Sequence, residues 1–203
     1  MLLTREMTAR ASHILLILSA FLSGLVLFFG VVLFVGQNAG TGPAVSAIGG
    51  PFNLIDQNGK PITDQEMKGR PFLVFFGYTH CPDICPATLF EVSEVMRALG
   101  KDADKAGALF ITVDPERDTP AAMKDYLSSF DPHLQGATGD LKSVEAAEKA
   151  YRVYAKKVSG ENGDYSMDHT ALVYLMDKQG RFVAPFKLNR KPEESAADLR
   201  RYL

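Results

Sequence analysis

The chain has 203 residues, 46 % of them hydrophobic and 23 % charged, with a formal net charge of −2. That length suits one compact domain plus an appendage, and the composition is that of an ordinary globular protein. No run of Lys and Arg exists to neutralise phosphates, which excludes nucleic acid as the main partner.

The first element in the chain is an apolar run from Ile14 to Val35, diluted only by Ser, Gly and Ala. As a helix it would rise roughly 33 Å, against a hydrocarbon core of about 30 Å. Arg5 and Arg10 precede the run, and no Lys or Arg follows it until Lys60. The positive-inside rule then leaves the leading segment in the cytoplasm and everything after the run outside. Gly36–Gly42 offers no clean Ala-x-Ala cleavage site, so the run reads as an uncleaved anchor in a bacterial inner membrane, facing the periplasm. The expected organisation is a cytoplasmic stub and anchor over 1–36, a Gly- and Ala-rich tether over 37–47, and a folded domain over 48–203.

Within the domain, Phe52–Ile55, the turn Asp56-Gln57-Asn58-Gly59 and Pro61–Thr63 predict a small hairpin. Pro71–Gly77 is a continuous apolar run of strand length, as for a strand buried on both faces. Leu89, Val92, Val95, Met96 and Leu99 recur at helical spacing, predicting a helix from about Pro86 to Leu99 that Gly100 stops. Ala108–Val113 is the next strand. Thr119 and Pro120 cap and open a helix to about Phe130, and Asp140 opens another to about Tyr151. Arg152–Val158 predicts a short strand, Ser159–Asp168 a polar loop, and Ala171–Met176 and Arg181–Phe186 a strand pair turned at Asp177-Lys178-Gln179-Gly180. Pro192–Leu203 closes the chain as a helix. This order is a layered α/β arrangement.

Only two cysteines exist, Cys81 and Cys85, between the first buried strand and its helix. That is the carboxyl edge of a strand, where open α/β folds place their sites. A structural disulfide over so short a loop would gain little, because the entropic benefit grows with loop length. At four-residue helical spacing both sulfurs share one face, close enough for a disulfide or for one metal ion. A helix N-terminus also lowers a thiol pKa, favouring thiolate for either use. His169 lies just before the strand Ala171–Met176, and two thiolates with an imidazole form a soft set suited to copper. The residues alone leave two chemistries open, a redox dithiol or a copper site. Asp83, Asp168, Met167 and His80 lie near these three in sequence, and Asp114 is expected near the site at a strand end; His133 has no evident partner.

Four separated stretches resemble the SCO/SenC family of copper proteins that act in cytochrome c oxidase assembly. They are Gly49–Asp56 with Gly59, Gly77-Tyr78-Thr79-His80-Cys81-Pro82-Asp83-Ile84-Cys85-Pro86, Val113–Pro120, and Tyr165-Ser166-Met167-Asp168-His169-Thr170. The resemblance implies a thioredoxin-like fold, a glutaredoxin-type sandwich with an N-terminal hairpin extension. It implies one copper per chain, Cu(I) or Cu(II), held by Cys81, Cys85 and His169. It also implies a metallochaperone that assists copper insertion into the CuA centre of oxidase subunit II, or into another cuproprotein, after loading by an upstream copper donor. An alternative role within the family is thiol–disulfide oxidoreduction, with Cys81 and Cys85 as a catalytic dithiol reducing the cysteine pair of the apo CuA subunit. A thiol peroxidase lacks any supporting motif here.

Overall fold

The structure, a computed structural model, describes residues 18–34, 48–160 and 163–203. The chain divides into two units, Met1–Ala44 and Val45–Leu203. In the first, residues 18–34 form a helix, α1, whose side chains are all exposed. The remaining positions of the expected apolar span, 14–17 and 35, lie outside the described residues, as does the expected tether. Among the described residues no helix is long and apolar enough to cross a membrane.

The second unit is built on a seven-stranded sheet in the order β2-β1-β5-β4-β3-β8-β9. The predicted hairpin forms as β1 (Asn53–Asp56) and β2 (Pro61–Thr63), antiparallel, with Leu54 opposite Ile62. A short helix, α2 (Asp64–Met67), follows, its start fixed by a capping box between Thr63 and Glu66. β3 (Phe72–Gly77) lies in the sheet's interior, buried along its whole length as its apolar run demands. It pairs in parallel with β4 (Gly107–Thr112), register Phe75 to Phe110.

The link between them is α3 (Ile84–Leu99) and a 3-10 turn over Gly100–Lys105. α3 buries Leu89, Val92, Val95, Met96 and Leu99, each contributing about 1.5–3 kcal/mol on removal from water. α4 (Pro120–Leu127) starts where Thr119 accepts the Ala122 N–H, as its Thr-Pro signature predicts, but stops short of Phe130. α5 (Leu141–Tyr151) is capped by Asp140 and ends on Arg152 in the left-handed conformation.

Between these helices runs a strand that the sequence pattern does not reveal, β5 (Leu134–Thr138), parallel to β4. Its centre is Gly136, where a Cβ would come within 2.5 Å of Leu127 Cδ1 and 2.9 Å of Met123 Cε, so α4 rests directly on backbone. The missing side chain removes the alternation by which a strand is read.

β8 (Val173–Met176) pairs antiparallel with β3 and with β9 (Phe182–Pro185), and α6 (Pro192–Arg200) packs against α3. The β3–α3–β4 crossover followed by the β8–β9 hairpin and α6 is the thioredoxin-like core, with β5 and the β1–β2 hairpin added on the β4 side. On the opposite face of β3, Phe76 packs its ring against Tyr151 of α5, which also meets Phe52 and Tyr174.

One sequence expectation is overturned outright. Ser159–Asp168 is not a polar loop: β6 (Ala155–Ser159) and β7 (Tyr165–His169) form a separate two-stranded sheet, with Ala155 opposite His169. Ser159, Ser166 and Asp168 made the stretch read as loop. They occupy exposed positions of the hairpin, while Tyr165, Met167 and His169 alternate with the exposed residues on β7.

Candidate metal centre

The site begins at the carboxyl end of β3. Gly77 is the last residue of that strand, and a Cβ there would lie 2.8 Å from Cys85 Sγ and 2.8 Å from Phe110 Cε2. Glycine is therefore what lets the first turn of α3 press its sulfur onto the strand end. Cys85 is fully buried in that turn, and Cys81 is half-buried in the preceding one.

The two cysteines do not share a helical face as the spacing suggested, because α3 starts at Ile84 and Cys81 lies outside it. Cys81 instead caps the helix: its Sγ accepts the Cys85 backbone N–H at 3.3 Å, while the helix's own N-cap, Asp83, makes no side-chain bond. Nor does the helix terminus dominate the second thiol. Burial pushes the Cys85 pKa well up, the Tyr78 backbone hydrogen bond offsetting only part of it.

His169 ends β7 with its ring against the dithiol. Its Nε2 is 3.6 Å from Cys85 Sγ, and its Nδ1 is 3.1 Å from the Thr170 carbonyl. A carbonyl only accepts, so Nδ1 carries the hydrogen and Nε2 presents its lone pair to the sulfur. Phe75 and Tyr78 set the ring plane edge-to-face, at centroid distances of 6.2 and 5.8 Å. The Cys81, Cys85 and His169 donor atoms all lie within 4.8 Å of one another. Three donors around a single ion at ordinary bond lengths of about 2.0–2.3 Å stand about 3.7 Å apart. Two sulfurs and one nitrogen at this separation fit a soft, three-coordinate ion such as copper.

Residues singled out near the site play other parts. Asp114 touches none of the three donors; it accepts the Tyr165 hydroxyl at 2.9 Å and pairs with Arg117. His80 is exposed, with Nδ1 on Thr79 Oγ1, and is not directed at the sulfurs. Met167 is half-buried. His133 does have partners: Asp131 Oδ1 at 2.6 Å and Asp104 Oδ1 at 3.1 Å.

The residue missed by sequence reasoning is Asp118. Fully buried, it accepts from Thr79 N (3.0 Å), Thr79 Oγ1 (2.6 Å) and Thr112 Oγ1 (2.6 Å), fastening the loop just ahead of Cys81. Burial raises its pKa, and the two threonines hold the rise in check. Thr79 and Asp118 are 39 positions apart, so no local spacing announces the contact.

A thioredoxin-like protein whose dithiol faces an imidazole is thus the class that fold and site define. A SCO1/SenC family profile matches residues 41–203. The chain belongs to the SCO1/SenC family. It is 40 % identical over 149 residues to a SCO2-like protein of Rickettsia felis, covering 72 % of this chain and 73 % of that one. It is 44 % identical over 140 residues to the mitochondrial protein SCO2 of Saccharomyces cerevisiae, covering 68 % of this chain and 46 % of that longer protein. Among solved structures, the copper-bound ScoI of Bradyrhizobium japonicum is 68 % identical with a TM-score of 0.76, covering 77 % of this chain and 99 % of that one. Copper-bound yeast Sco1 is 36 % identical with a TM-score of 0.69, covering 76 % and 87 %. Both of those solved structures hold copper, and Cys81, Cys85 and His169 of this chain form a group that could hold one metal ion.

Proposed function

We propose that this chain is a copper metallochaperone that takes one copper ion on Cys81, Cys85 and His169 and passes it to the CuA centre of cytochrome c oxidase subunit II. The single observation that carries the reading is the convergence of two sulfurs and an imidazole within 4.8 Å. Handing on an ion requires a donor set that can be exchanged one ligand at a time, and a set of three donors, one of them the half-buried Cys81 ahead of α3, meets that need. The half-buried Cys81 is the donor a partner's thiolate reaches first. The apolar run Ile14–Val35, with Arg5 and Arg10 ahead of it, supports anchoring in a bacterial inner membrane with the domain in the periplasm.

The same dithiol supports a second reading, reduction of the subunit's cysteine pair, because Cys81 and Cys85 are both free. In that reaction the Cys81 thiolate attacks the target disulfide, and Cys85 then attacks the mixed disulfide, leaving a Cys81–Cys85 disulfide and a reduced target. His169 is not required for it. In cells dependent on this chain, His169→Ala is expected to abolish oxidase maturation if copper transfer is the task. Maturation that survives His169→Ala but is lost in Cys81→Ser would sink transfer in favour of reduction. Anaerobic copper titration of the full chain in detergent is expected to saturate near one ion per chain.

A further inference from the structure

The β6–β7 hairpin that carries His169 stands apart from the seven-stranded sheet, and β6 is almost entirely exposed. A lone two-stranded hairpin has little stability in water, so its orientation must come from side chains that grip it. A donor works only when held within about 0.5 Å and 10–20° of its geometry. Ala155 and Met167 pack the hairpin against the core, and its polar grip comes from one short loop between β4 and α4. Arg117 lays its guanidinium on the Tyr165 ring, Cζ 3.7 Å from the centroid, and Nη1 donates to the Tyr165 carbonyl at 3.0 Å. Its Nε is paired with Asp114, which also accepts the Tyr165 hydroxyl. From the same loop Glu116 pairs with Lys157 of β6 at 2.6 Å, and the Lys157 ammonium covers the Tyr165 ring at 3.8 Å.

The contact continues to the imidazole. Arg117 lies 5.7 Å from the Tyr78 ring centroid, and Tyr78 stands edge-on to His169. Tyr165 and His169 lie on the same face of β7, about 13 Å apart along the strand. Among the described residues the buried Arg117 Nη2 has no hydrogen-bond partner.

We propose that Arg117 is a positioning residue: by clasping Tyr165 and backing Tyr78 it orients the hairpin and holds His169 against the dithiol. Releasing the clasp frees the imidazole while both thiols stay in place, which supplies a step at which one ligand leaves first. The proposal rests on the reading that His169 binds copper, and its test separates the two.

The probe is Cu(I), titrated anaerobically into the full chain in detergent against a chromophoric chelator. Arg117→Met keeps much of the apolar stem and removes the planar fork, which Lys does not replace. It is expected to weaken copper binding about 10- to 100-fold, the scale on which supports behind a metal ligand act. In a His169→Ala background it is expected to change binding by less than about 2-fold, because the clasp acts only through that ligand. Equal losses in both backgrounds, or no loss in the first, overturn the proposal. The copper-free chain gives a second readout: in Arg117→Met the β7 amides exchange hydrogen at least about 10-fold faster while those of β3 and β4 keep their rates. Unchanged β7 exchange, or loss of protection across β3 and β4, also overturns it. Should His169→Ala itself leave copper affinity intact, the ligand reading fails instead, and the exchange result alone decides the clasp.

Discussion

Cys85 Sγ and His169 Nε2 stand 3.6 Å apart although 84 positions separate the two residues. The Thr170 carbonyl fixes the imidazole tautomer, and the pair forms the inner wall of the site. Cys81 forms the outer wall. The site is thus asymmetric, with one thiol facing outward and one sealed.

That asymmetry sets the order of thiol reactivity. In the reduced, copper-free chain a small alkylating reagent is expected to modify Cys81 at least about 10-fold faster than the fully buried Cys85, since reactivity follows thiolate character and access. Peptide mapping by mass spectrometry over a time course measures it. Equal rates would mean that α3 opens far more readily than its packing implies.

Gly77 is where the strand end yields to a sulfur. In Gly77→Ala the new methyl must displace Cys85 Sγ or the Phe110 ring, both at 2.8 Å. The expected cost is about 1–3 kcal/mol in urea unfolding, with weaker copper binding alongside it. A variant of unchanged stability and affinity would show that α3 can shift freely, contrary to the burial of Cys85, Leu89 and Val92.

Asp118 holds the loop ahead of Cys81 through three donors. Asp118→Asn turns one acceptor oxygen into a donor facing a hydroxyl, and is expected to cost about 1–3 kcal/mol. Denaturant unfolding measures the loss. The alternative, Asp118 as a group exposed to partners, would predict normal stability and impaired transfer.

His133 gives the domain a pH signature away from the metal centre. Its pKa is raised above the ordinary 6.5, chiefly by the hydrogen bond to Asp131, with Asp104 adding to it. A raised folded-state pKa means that the stabilisation is full below about pH 6.5 and is lost as pH rises through the folded value. Asp104 is 91 % exposed, so most of the effect belongs to the buried Asp131. Unfolding midpoints measured from pH 5 to 9 are expected to fall more steeply in the native chain than in His133→Gln. Parallel curves would remove His133 from the account.

Much of this architecture is legible in the amino-acid order wherever a local rule suffices. Thr119-Pro120 and Asp140 open α4 and α5, Gly100 ends α3, and the unbroken Phe72–Gly77 run becomes a strand covered on both faces. Local rules fail where a partner decides. β5 is hidden because α4 needs a bare backbone at Gly136, and β7 because its outward positions carry the polar residues that signal a loop. The family motifs point to Cys81, Cys85 and His169 as the site residues, and the fold places the three together. Asp118, Arg117 and Tyr165 lie within those motifs, yet their parts come only from contacts with residues far along the chain.

The sequence by itself determined the donor types, two thiols four apart and one imidazole, and the strand-to-helix junction on which the thiols sit. Residue chemistry and short-range periodicity are properties of the local chain, and they survive without a fold. Which sulfur is sealed, which ring nitrogen faces it, and what holds the hairpin in place were decided only by tertiary structure. Burial and orientation arise when segments dozens of residues apart exclude water from one another, and no local pattern encodes that meeting.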